Sequence, residues 1–283
     1  MLGEPGAGPD VVIVGGLHGN EPEGLIAGQA VLEALRGVEA MLPGRVVLLA
    51  GNQAALRLSR RFLERDLNRG WREDAISRVR LRHQHERSRE DREQLDLIAC
   101  VETLGRDADQ GVVLIDLHTT SAGAPPFSVI IDTPTNRHLA ESVGLPVVLG
   151  FEEQVDSPIL TWWHDQGWPG LGIEGGSRGD EAAPVHLASA IWRVMGALGW
   201  PLPEAVVADE PGRAYRIVYR HAVVPGAGFR MDPGYESFQA VREGQRLAQD
   251  CTGPIRSMCE GLIFMPLYQA QGSDGFFLLA PAG

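Results

Sequence analysis

Short, continuous apolar runs constrain the fold of this chain more than any other feature of its sequence. Five such runs are Val11–Val14, Val46–Ala50, Val112–Ile115, Phe127–Ile131 and Leu171–Ile173. An apolar run without polar alternation predicts a strand that is buried on both faces, and such a sheet needs helices on both sides. Helices are predicted at Pro22–Arg36, at about Asp74–Leu104 and at Pro184–Leu198. We therefore expect an α/β fold with a mixed, largely parallel sheet flanked by helices.

The character of the sequence changes near residue 200. Residues 201–212 are rich in proline and acidic side chains, a composition typical of a connection between domains. Beyond them, short strands separated by glycine and proline turns are predicted at Tyr215–Tyr219, Gly261–Met265 and Phe276–Leu279. This pattern predicts a main domain of residues 1–200, a linker of residues 201–212 and a smaller β-rich C-terminal domain of residues 213–283.

Net charge and the choice of basic residue exclude several classes of protein. The formal net charge is −12, and all 25 basic residues are arginine. An acidic chain is repelled by the phosphates of DNA and RNA, so no nucleic-acid partner is expected. Without lysine, the chain can form neither a Schiff base nor the phosphate-binding loop that requires Gly-Lys-Ser/Thr.

The cysteines and the N-terminal residues indicate a reducing compartment such as the cytoplasm. The three cysteines are never spaced as C-x-x-C, which argues against a disulfide framework and against a cysteine zinc site. Residues 1–10 are rich in glycine, proline and acidic groups, unlike a signal peptide, and no run of about 18 apolar residues occurs. We expect a cytoplasmic protein with no membrane partner. The sequence leaves a homo-oligomer open.

A cluster of mixed charge lies between Arg78 and Arg92. Because acidic and basic side chains are interspersed within it, we interpret the cluster as a solvated face of the predicted long helix. It therefore carries no functional prediction.

Two polar segments that follow predicted strands suggest a metal site. His18 and Glu21 lie beyond the carboxyl end of the strand predicted at Val11–Gly16, and His118 follows Val112–Ile115. The carboxyl ends of strands are where α/β sheets keep their sites. Two histidines and one glutamate match a catalytic zinc shell, in which a water molecule holds the fourth position. The alternative, that these are ordinary turn residues, stays open at this point.

Four motifs occur in sequence: Gly15–Glu21 (GGLHGNE), Asp66–Arg69 (DLNR) preceded by Arg61, Asp116–Thr120 (DLHTT) and Ile173–Gly176 (IEGG). With these motifs the chain resembles the succinylglutamate desuccinylase/aspartoacylase family, which is related to the zinc carboxypeptidases. The β-rich tail also resembles the C-terminal domain of that family. The resemblance implies a zinc-carboxypeptidase-like catalytic domain in residues 1–200 with one zinc ion per chain. It also implies hydrolysis of the amide bond of a small-molecule N-acyl amino acid.

The resemblance further implies a role for each motif residue. The zinc ligands would be His18, Glu21 and His118, the catalytic carboxylate Glu174, and the residues facing the substrate Arg61, Asn68 and Arg69. A carboxylate such as Glu174 can take a proton from water and return it to the departing amine. The guanidinium of Arg61 would stabilise an oxyanion, and that of Arg69 matches an α-carboxylate in bidentate geometry. Surface salt bridges are the alternative for both arginines.

Two places near the motifs leave alternatives open. Asp116 either accepts an N–H from the imidazole of His118 or caps the core. Relatives that act on acidic substrates often carry an arginine shortly before the catalytic glutamate, where this chain has Thr161–Asp165. The two tryptophans and the histidine of this segment suggest a bulkier, more apolar or aromatic-lined subsite, and core packing is the alternative for the paired tryptophans.

Two other functions compete with the deacylase interpretation. A zinc carboxypeptidase would use the same metal ligands on short peptides. The β-rich tail favours acyl amino acids, because in this family it helps to wall the cleft and restricts access to short substrates. A non-catalytic binding protein with this fold is the third alternative, and the presence of Glu174 beside three intact ligands argues against it.

Overall fold

A large mixed sheet organises the part of the chain that the structure describes, residues 1–200 and 210–282 of a computed structural model. The strands are β1 (Asp10–Gly15), β2 (Val46–Ala50), β3 (Val112–Thr120), β4 (Phe127–Ile130), β5 (Val147–Leu149), β6 (Gly170–Ser177), β7 (Ala214–Ala222), β8 (Arg230–Met231), β9 (Gln239–Val241), β10 (Arg246–Asp250), β11 (Gly253–Arg256), β12 (Gly261–Phe264) and β13 (Asp274–Pro281). The helices are α1 (Glu23–Ala34), α2 (Gln53–Leu56), α3 (Glu73–Leu81), α4 (Arg89–Arg106), α5 (Pro134–Val143), α6 (Phe151–Gln154), α7 (Ile159–Asp165) and α8 (Ala183–Ala197). Of the helices described, none is both long and apolar enough to cross a membrane.

The strands of the large sheet follow the order β2-β1-β3-β6-β4-β5-β7-β13-β12-β9. From β2 to β6 all neighbours are parallel, β4 runs antiparallel to β6, and the pairs β4-β5 and β5-β7 are parallel again. The predicted α/β fold with a mixed, largely parallel sheet is therefore confirmed. The apolar pattern does not predict β5, because a run of three buried residues is too short to stand out.

Helices cover both faces of this sheet. Every residue of β1 and β3 is buried, as expected for strands between two layers of helices. On one face, α1, α5 and α8 pack on a core that includes Ile13, Leu139 and Ile191. On the other, α4 and α7 pack on a core that includes Val14 and Ile98. The site described below lies on this second face.

The helix predicted over about residues 74–104 is wrong as a single element. Two helices, α3 and α4, occupy this stretch and are separated by residues 82–88. Arg82 is extended, and Ser88 caps α4 through reciprocal hydrogen bonds with Asp91. Because a serine followed three residues later by an acidic side chain is a helix-start signal, the local capping divides the segment.

The β-rich C-terminal part is confirmed, and its strands are divided between two sheets. Strands β7, β13, β12 and β9 extend the large sheet through antiparallel pairs, whereas β11, β10 and β8 form a small sheet. Since β7 pairs with β5, the large sheet runs across the predicted boundary. The division into domains 1–200 and 213–283 stays a prediction, and residues 201–209 of the predicted linker lie outside the described residues.

Candidate functional site

The turn between β1 and α1 presents His18 and Glu21 at the carboxyl edge of the sheet. The turn packs closely on α2, because a Cβ at Gly19 would lie 2.2 Å from the carbonyl carbon of Ala55. Only glycine can approach another backbone so closely. His118 comes from β3, the parallel neighbour of β1. Adjacent strands therefore bring these three side chains together.

His18, Glu21 and His118 form a buried group whose potential ligand atoms lie within 4.8 Å of one another. Nδ1 of His18 lies 3.1 Å from Oε1 of Glu21, and Nδ1 of His118 lies 3.1 Å from Oε2. The other ring nitrogens face aspartates: Nε2 of His18 is 3.0 Å from Asp66, and Nε2 of His118 is 3.0 Å from Asp116. Because both aspartates favour a proton on Nε2, the neutral form of each ring directs its Nδ1 lone pair at the group.

This arrangement suits one divalent metal ion. Imidazole nitrogen and carboxylate oxygen are donors that zinc prefers, and three protein ligands leave a coordination position open. Nδ1 of His18 is buried and, although it lies 3.1 Å from Oε1 of Glu21, it makes no hydrogen bond of good geometry, as expected for a lone pair reserved for a metal. Carboxylates behind ligating imidazoles are common in zinc sites, since they fix the tautomer and the ring orientation. The residues present therefore fit zinc, and the predicted contact between Asp116 and His118 is confirmed.

The charges of this group depend on one another. Burial alone would raise the pKa of Glu21, but His18 and then His118 outweigh burial and lower it. Burial alone would lower the pKa of His118, yet Asp116 and Glu21 raise it well above its usual range. The pKa of Asp66 is held low by His18 and a neighbouring arginine, again against the effect of burial. Glu21 and Asp66 are therefore held as carboxylates, and His118 is held in its charged form unless a metal ion replaces the proton on its Nδ1.

Glu174 lies beside this group on β6. It pairs in register with His118 of β3, so the two side chains leave the same face of the sheet. Oε2 of Glu174 is buried and has no hydrogen-bond partner. Burial raises the pKa of Glu174 to about 8; His118 opposes the rise, while Glu21 and Asp116 add to it. A carboxyl group that exchanges its proton near neutral pH thus stands next to the histidines.

Arg61 and Asn68 line the same pocket. Arg61 donates to Asp66 from Nη2 at 3.0 Å and from Nε at 3.2 Å, and its Nη1 lies 3.5 Å from Oε1 of Glu21. The side-chain nitrogen of Asn68 lies 3.3 Å from Nε2 of His118, and its oxygen accepts a backbone N–H of α7 at 2.9 Å. Both side chains are therefore held within the protein, and their roles toward a substrate stay predictions.

Arg69 also lines the pocket, but the C-terminal part of the chain holds its guanidinium. Nη2 of Arg69 donates to Asp274 at 2.8 Å, and Nη1 donates to the backbone oxygen of Asn68 at 2.8 Å. Arg220 donates to the other oxygen of Asp274 at 2.7 Å. No motif in the sequence indicates Asp274 or Arg220, because the contact joins positions 205 residues apart.

The first turn of α4 holds the loop that carries Arg61, Asn68 and Arg69. Glu90 and Asp91 are fully buried there. Glu90 accepts the backbone N–H of residue 63 at 2.7 Å, and Asp91 accepts Nε of residue 65 at 2.8 Å. The interpretation of residues 78–92 as a solvated helix face is therefore wrong for these two acids. Their burial depends on a loop that the charge pattern does not reveal.

Apolar side chains from β4, α6, α7 and the C-terminal part complete the pocket, which has a volume of about 920 Å³ with its open mouth included. Trp162 and Trp163 are almost fully buried, and they pack against each other and Trp168. Neither of them, nor His164, is among the described residues that line the pocket. The interpretation of the two tryptophans as core packing is therefore confirmed, whereas His164 is exposed.

The sequence matches a family model over residues 7–179, and that model is described as the succinylglutamate desuccinylase/aspartoacylase catalytic domain. A probable aspartoacylase from Parasynechococcus marenigrum (strain WH8102) is 31% identical over 176 residues, which cover 59% of this chain and 53% of that protein. The chain thus matches about half the length of this curated relative.

Solved structures resemble nearly the whole chain. A succinylglutamate desuccinylase from Vibrio cholerae has a TM-score of 0.75 at 17% identity, covering 98% of this chain and 82% of its own. A succinylglutamate desuccinylase/aspartoacylase from Rhodobacter sphaeroides has a TM-score of 0.73 at 20% identity, covering 98% and 87%. At these identities the likeness establishes a shared fold.

Proposed function

The chain belongs to the succinylglutamate desuccinylase/aspartoacylase family, and from this premise we propose that it is a zinc-dependent hydrolase that cleaves the amide bond of small N-acyl amino acids. The observation that carries the proposal is the convergence of two Nδ1 atoms and one carboxylate beside Glu174. Fold likeness alone would not support a reaction, since one fold hosts many functions. A set of three metal ligands beside the carboxyl group of Glu174 does support a hydrolytic reaction.

The proposed zinc ligands are His18, Glu21 and His118, for one ion per chain. When bound, zinc supplies Lewis acidity and lowers the pKa of water to about 7, so that a nucleophile exists at neutral pH. The part played by the chain is to orient the donors. Asp66 and Asp116 each hold an Nε2–H, which keeps both Nδ1 lone pairs directed at one point.

Glu174 is the proposed proton carrier. Its free Oε2 can accept a proton from the attacking water and later donate that proton to the nitrogen of the departing amine. The C–N bond of the amide breaks, and the products are a carboxylate and a free amino acid. Burial raises the pKa of this group toward neutral pH, which is the range in which one carboxyl group can act first as base and then as acid.

Two arginines are proposed to stabilise negative charge: Arg61 that of the oxyanion formed from the amide carbonyl, and Arg69 that of the substrate's α-carboxylate. Arg61 lies within 3.5 Å of the metal-ligand carboxylate, close enough to stabilise an oxyanion that forms there. Arg69 is proposed to bind the α-carboxylate of the substrate, with its guanidinium oriented by Asp274. Asn68 is proposed to assist in the same region.

A carboxypeptidase acting on short peptides is the second candidate, because it would use the same ligands and the same proton carrier. The contribution of Met265, Leu267 and Asp274 to the pocket favours the deacylase. These residues come from the C-terminal part, and they wall the pocket in a way that suits a short substrate better than an extended peptide.

The proposed function is tested with a substrate panel. Zinc-loaded and chelator-treated protein are incubated with N-acetyl, N-succinyl and N-formyl amino acids and with short peptides, and the released amine is measured. We expect amine release from acyl amino acids that depends on the metal. Cleavage of peptides alone would support the carboxypeptidase, and release that is unaffected by the chelator would remove zinc from the mechanism.

A further inference from the structure

Part of the pocket lining is apolar. Its side chains come from β4, α6, α7 and the C-terminal part; we call them the apolar wall, and they are Val129, Phe151, Leu160, Met265, Leu267 and Phe277. The rings of Phe151 and Phe277 pack with centroids 5.6 Å apart. The chain thus places hydrocarbon from four separate segments against one pocket.

The gap in front of this wall lies next to Glu174. Gly172 precedes Glu174 by two residues on β6, so both point to the same face of the sheet. Gly172 pairs with Asp116 on one side and with Val129 on the other. A Cβ at Gly172 would lie 3.5 Å from Cδ1 of Leu160 and 3.8 Å from Cβ of Val129. The missing side chain therefore leaves room for a methyl group in front of two aliphatic side chains, on the face of β6 that also carries Glu174.

The cations of the pocket already have partners. Arg61 and Arg69 are the two arginines among the described lining residues, and the chain contains no lysine. Arg61 pairs with Asp66 at 3.0 Å, and Arg69 pairs with Asp274 at 2.8 Å. Arg178 is exposed and donates to an amide at the rim, at 2.9 Å, outside the lining. Once Arg69 binds an α-carboxylate, no described lining arginine remains for a second acidic group.

We propose that the apolar wall and the gap at Gly172 form a subsite for an uncharged, apolar substituent next to the scissile amide of the substrate. This inference rests on the proposed function, which it makes more specific. The substituent is either the side chain of the amino acid or the acyl chain, and both present the same hydrocarbon to the wall. A carboxylate at this place would be desolvated against Leu160 and Val129 without a cation to pair with.

The test is a panel with two arms, read as kcat/KM for amine release. One arm compares N-acetylleucine and N-acetylphenylalanine with N-acetylaspartate and N-acetylglutamate. The other compares N-hexanoylalanine with N-succinylalanine. We expect the apolar member to exceed the acidic one by about 10²-fold or more in one arm, because an unpaired buried charge is strongly unfavourable. That arm identifies which part of the substrate occupies the subsite.

A variant locates the subsite. Gly172→Ala adds one methyl group at ordinary contact distance from its neighbours, so the fold should tolerate it. We expect the variant to lose at least about tenfold in kcat/KM for the bulky apolar substrates relative to N-acetylglycine, since one methylene in an apolar pocket is worth about that much. N-acetylglycine, which lacks a large substituent, is the internal control.

The outcomes separate the two proposals. Equal or faster hydrolysis of the acidic substrates in both arms would overturn the apolar subsite and leave the deacylase standing. An equal loss on N-acetylglycine and on the bulky substrates in Gly172→Ala would show that the gap is not where the substituent binds. If no acyl amino acid is hydrolysed at all, the proposed function fails, and the subsite fails with it.

Discussion

The two sides of the pocket are built in opposite ways. On the polar side, His18, His118, Asp66, Asp116 and Glu21 hold one another at distances of 3.0 to 3.1 Å. On the apolar side, the six residues of the apolar wall offer shape and hydrocarbon. Glu174 stands at the border, on β6 between the two, and one of its oxygens has no partner.

The difference indicates that the two sides have separate roles, one in the chemical step and the other in the choice of substrate. Groups that develop or transfer charge must be oriented before the reaction begins, so each polar group is fixed by a neighbour. A hydrocarbon substituent needs only space and removal from water, so the apolar side can be assembled from separate segments. Changes on the polar side should therefore affect metal binding and turnover, whereas changes on the apolar side should affect the choice of substrate.

The largest expected effect on the polar side comes from His118→Ala. Removal of a proposed ligand should strip the metal and with it the activity, because two remaining ligands do not complete a zinc site. Elemental analysis of purified protein measures the metal content. His138→Ala, a change of an exposed histidine on α5, is the matched control and should keep its metal. Full metal content in His118→Ala would remove that residue from the ligand set.

At the border, Glu174→Gln separates turnover from metal binding. The amide keeps the size of the side chain but cannot carry the proton, so kcat should fall by about 10²- to 10⁴-fold while the metal stays bound. Steady-state kinetics and elemental analysis of the same preparation give both values. A near-normal kcat would exclude Glu174 as the proton carrier.

Behind the histidines, Asp66→Asn and Asp116→Asn test the two matched contacts to Nε2. Each should weaken metal binding by about 10- to 100-fold, the usual effect of losing a carboxylate behind a ligating imidazole. Competition with a chromophoric chelator measures the affinity. Asp132→Asn changes an exposed aspartate that pairs with arginines and serves as the control. Unchanged affinity in both site variants would mean that the aspartates do not orient the ligands.

Arg69→Lys tests the residue that joins the polar side to the C-terminal part. Lysine keeps the charge and loses the fork, so KM should rise about tenfold with a smaller change in kcat, as expected for binding shared by ground and transition states. Asp274→Asn should raise KM less, since it only releases the guanidinium. A substrate with a carboxamide in place of the α-carboxylate supplies the control: if its penalty adds fully to that of Arg69→Lys, another group binds the carboxylate.

The smallest effect concerns the stability of the metal-free protein. The pKa of Glu174 rises from its ordinary 4.5 to about 8 on folding, so between these values the folded state keeps a proton that the unfolded state loses. Glu174 should therefore lower stability progressively as pH rises from 4.5 to 8. Glu174→Gln removes this dependence. Melting temperatures of both proteins over this range should diverge progressively toward high pH, and parallel curves would contradict the shift.

Much of the fold follows from local patterns. Continuous apolar runs predict β1, β2, β3, β4 and β6, because burial on both faces of a sheet requires them. The same patterns fail at two places. They miss β5 because it has only three residues, and they merge two helices because Ser88 starts a new helix inside the predicted one. The proposed site residues were predicted from motifs, and the structure brings His18, Glu21, His118 and Glu174 to one edge.

The set of strands and the chemical identity of the groups at their ends follow from local features of the sequence. Periodicity and motif spacing are local properties, so they can be read without knowing which segments meet. The partners of these groups depend on how the whole chain folds: Glu90 and Asp91 are buried under a distant loop, and Asp274 meets Arg69 across 205 positions. The folded chain also buries Trp162 in the core, while Leu160, two residues earlier, lines the pocket. The physical reason is that burial and ion pairing depend on which surfaces the folded chain brings together, and no local pattern encodes those pairings.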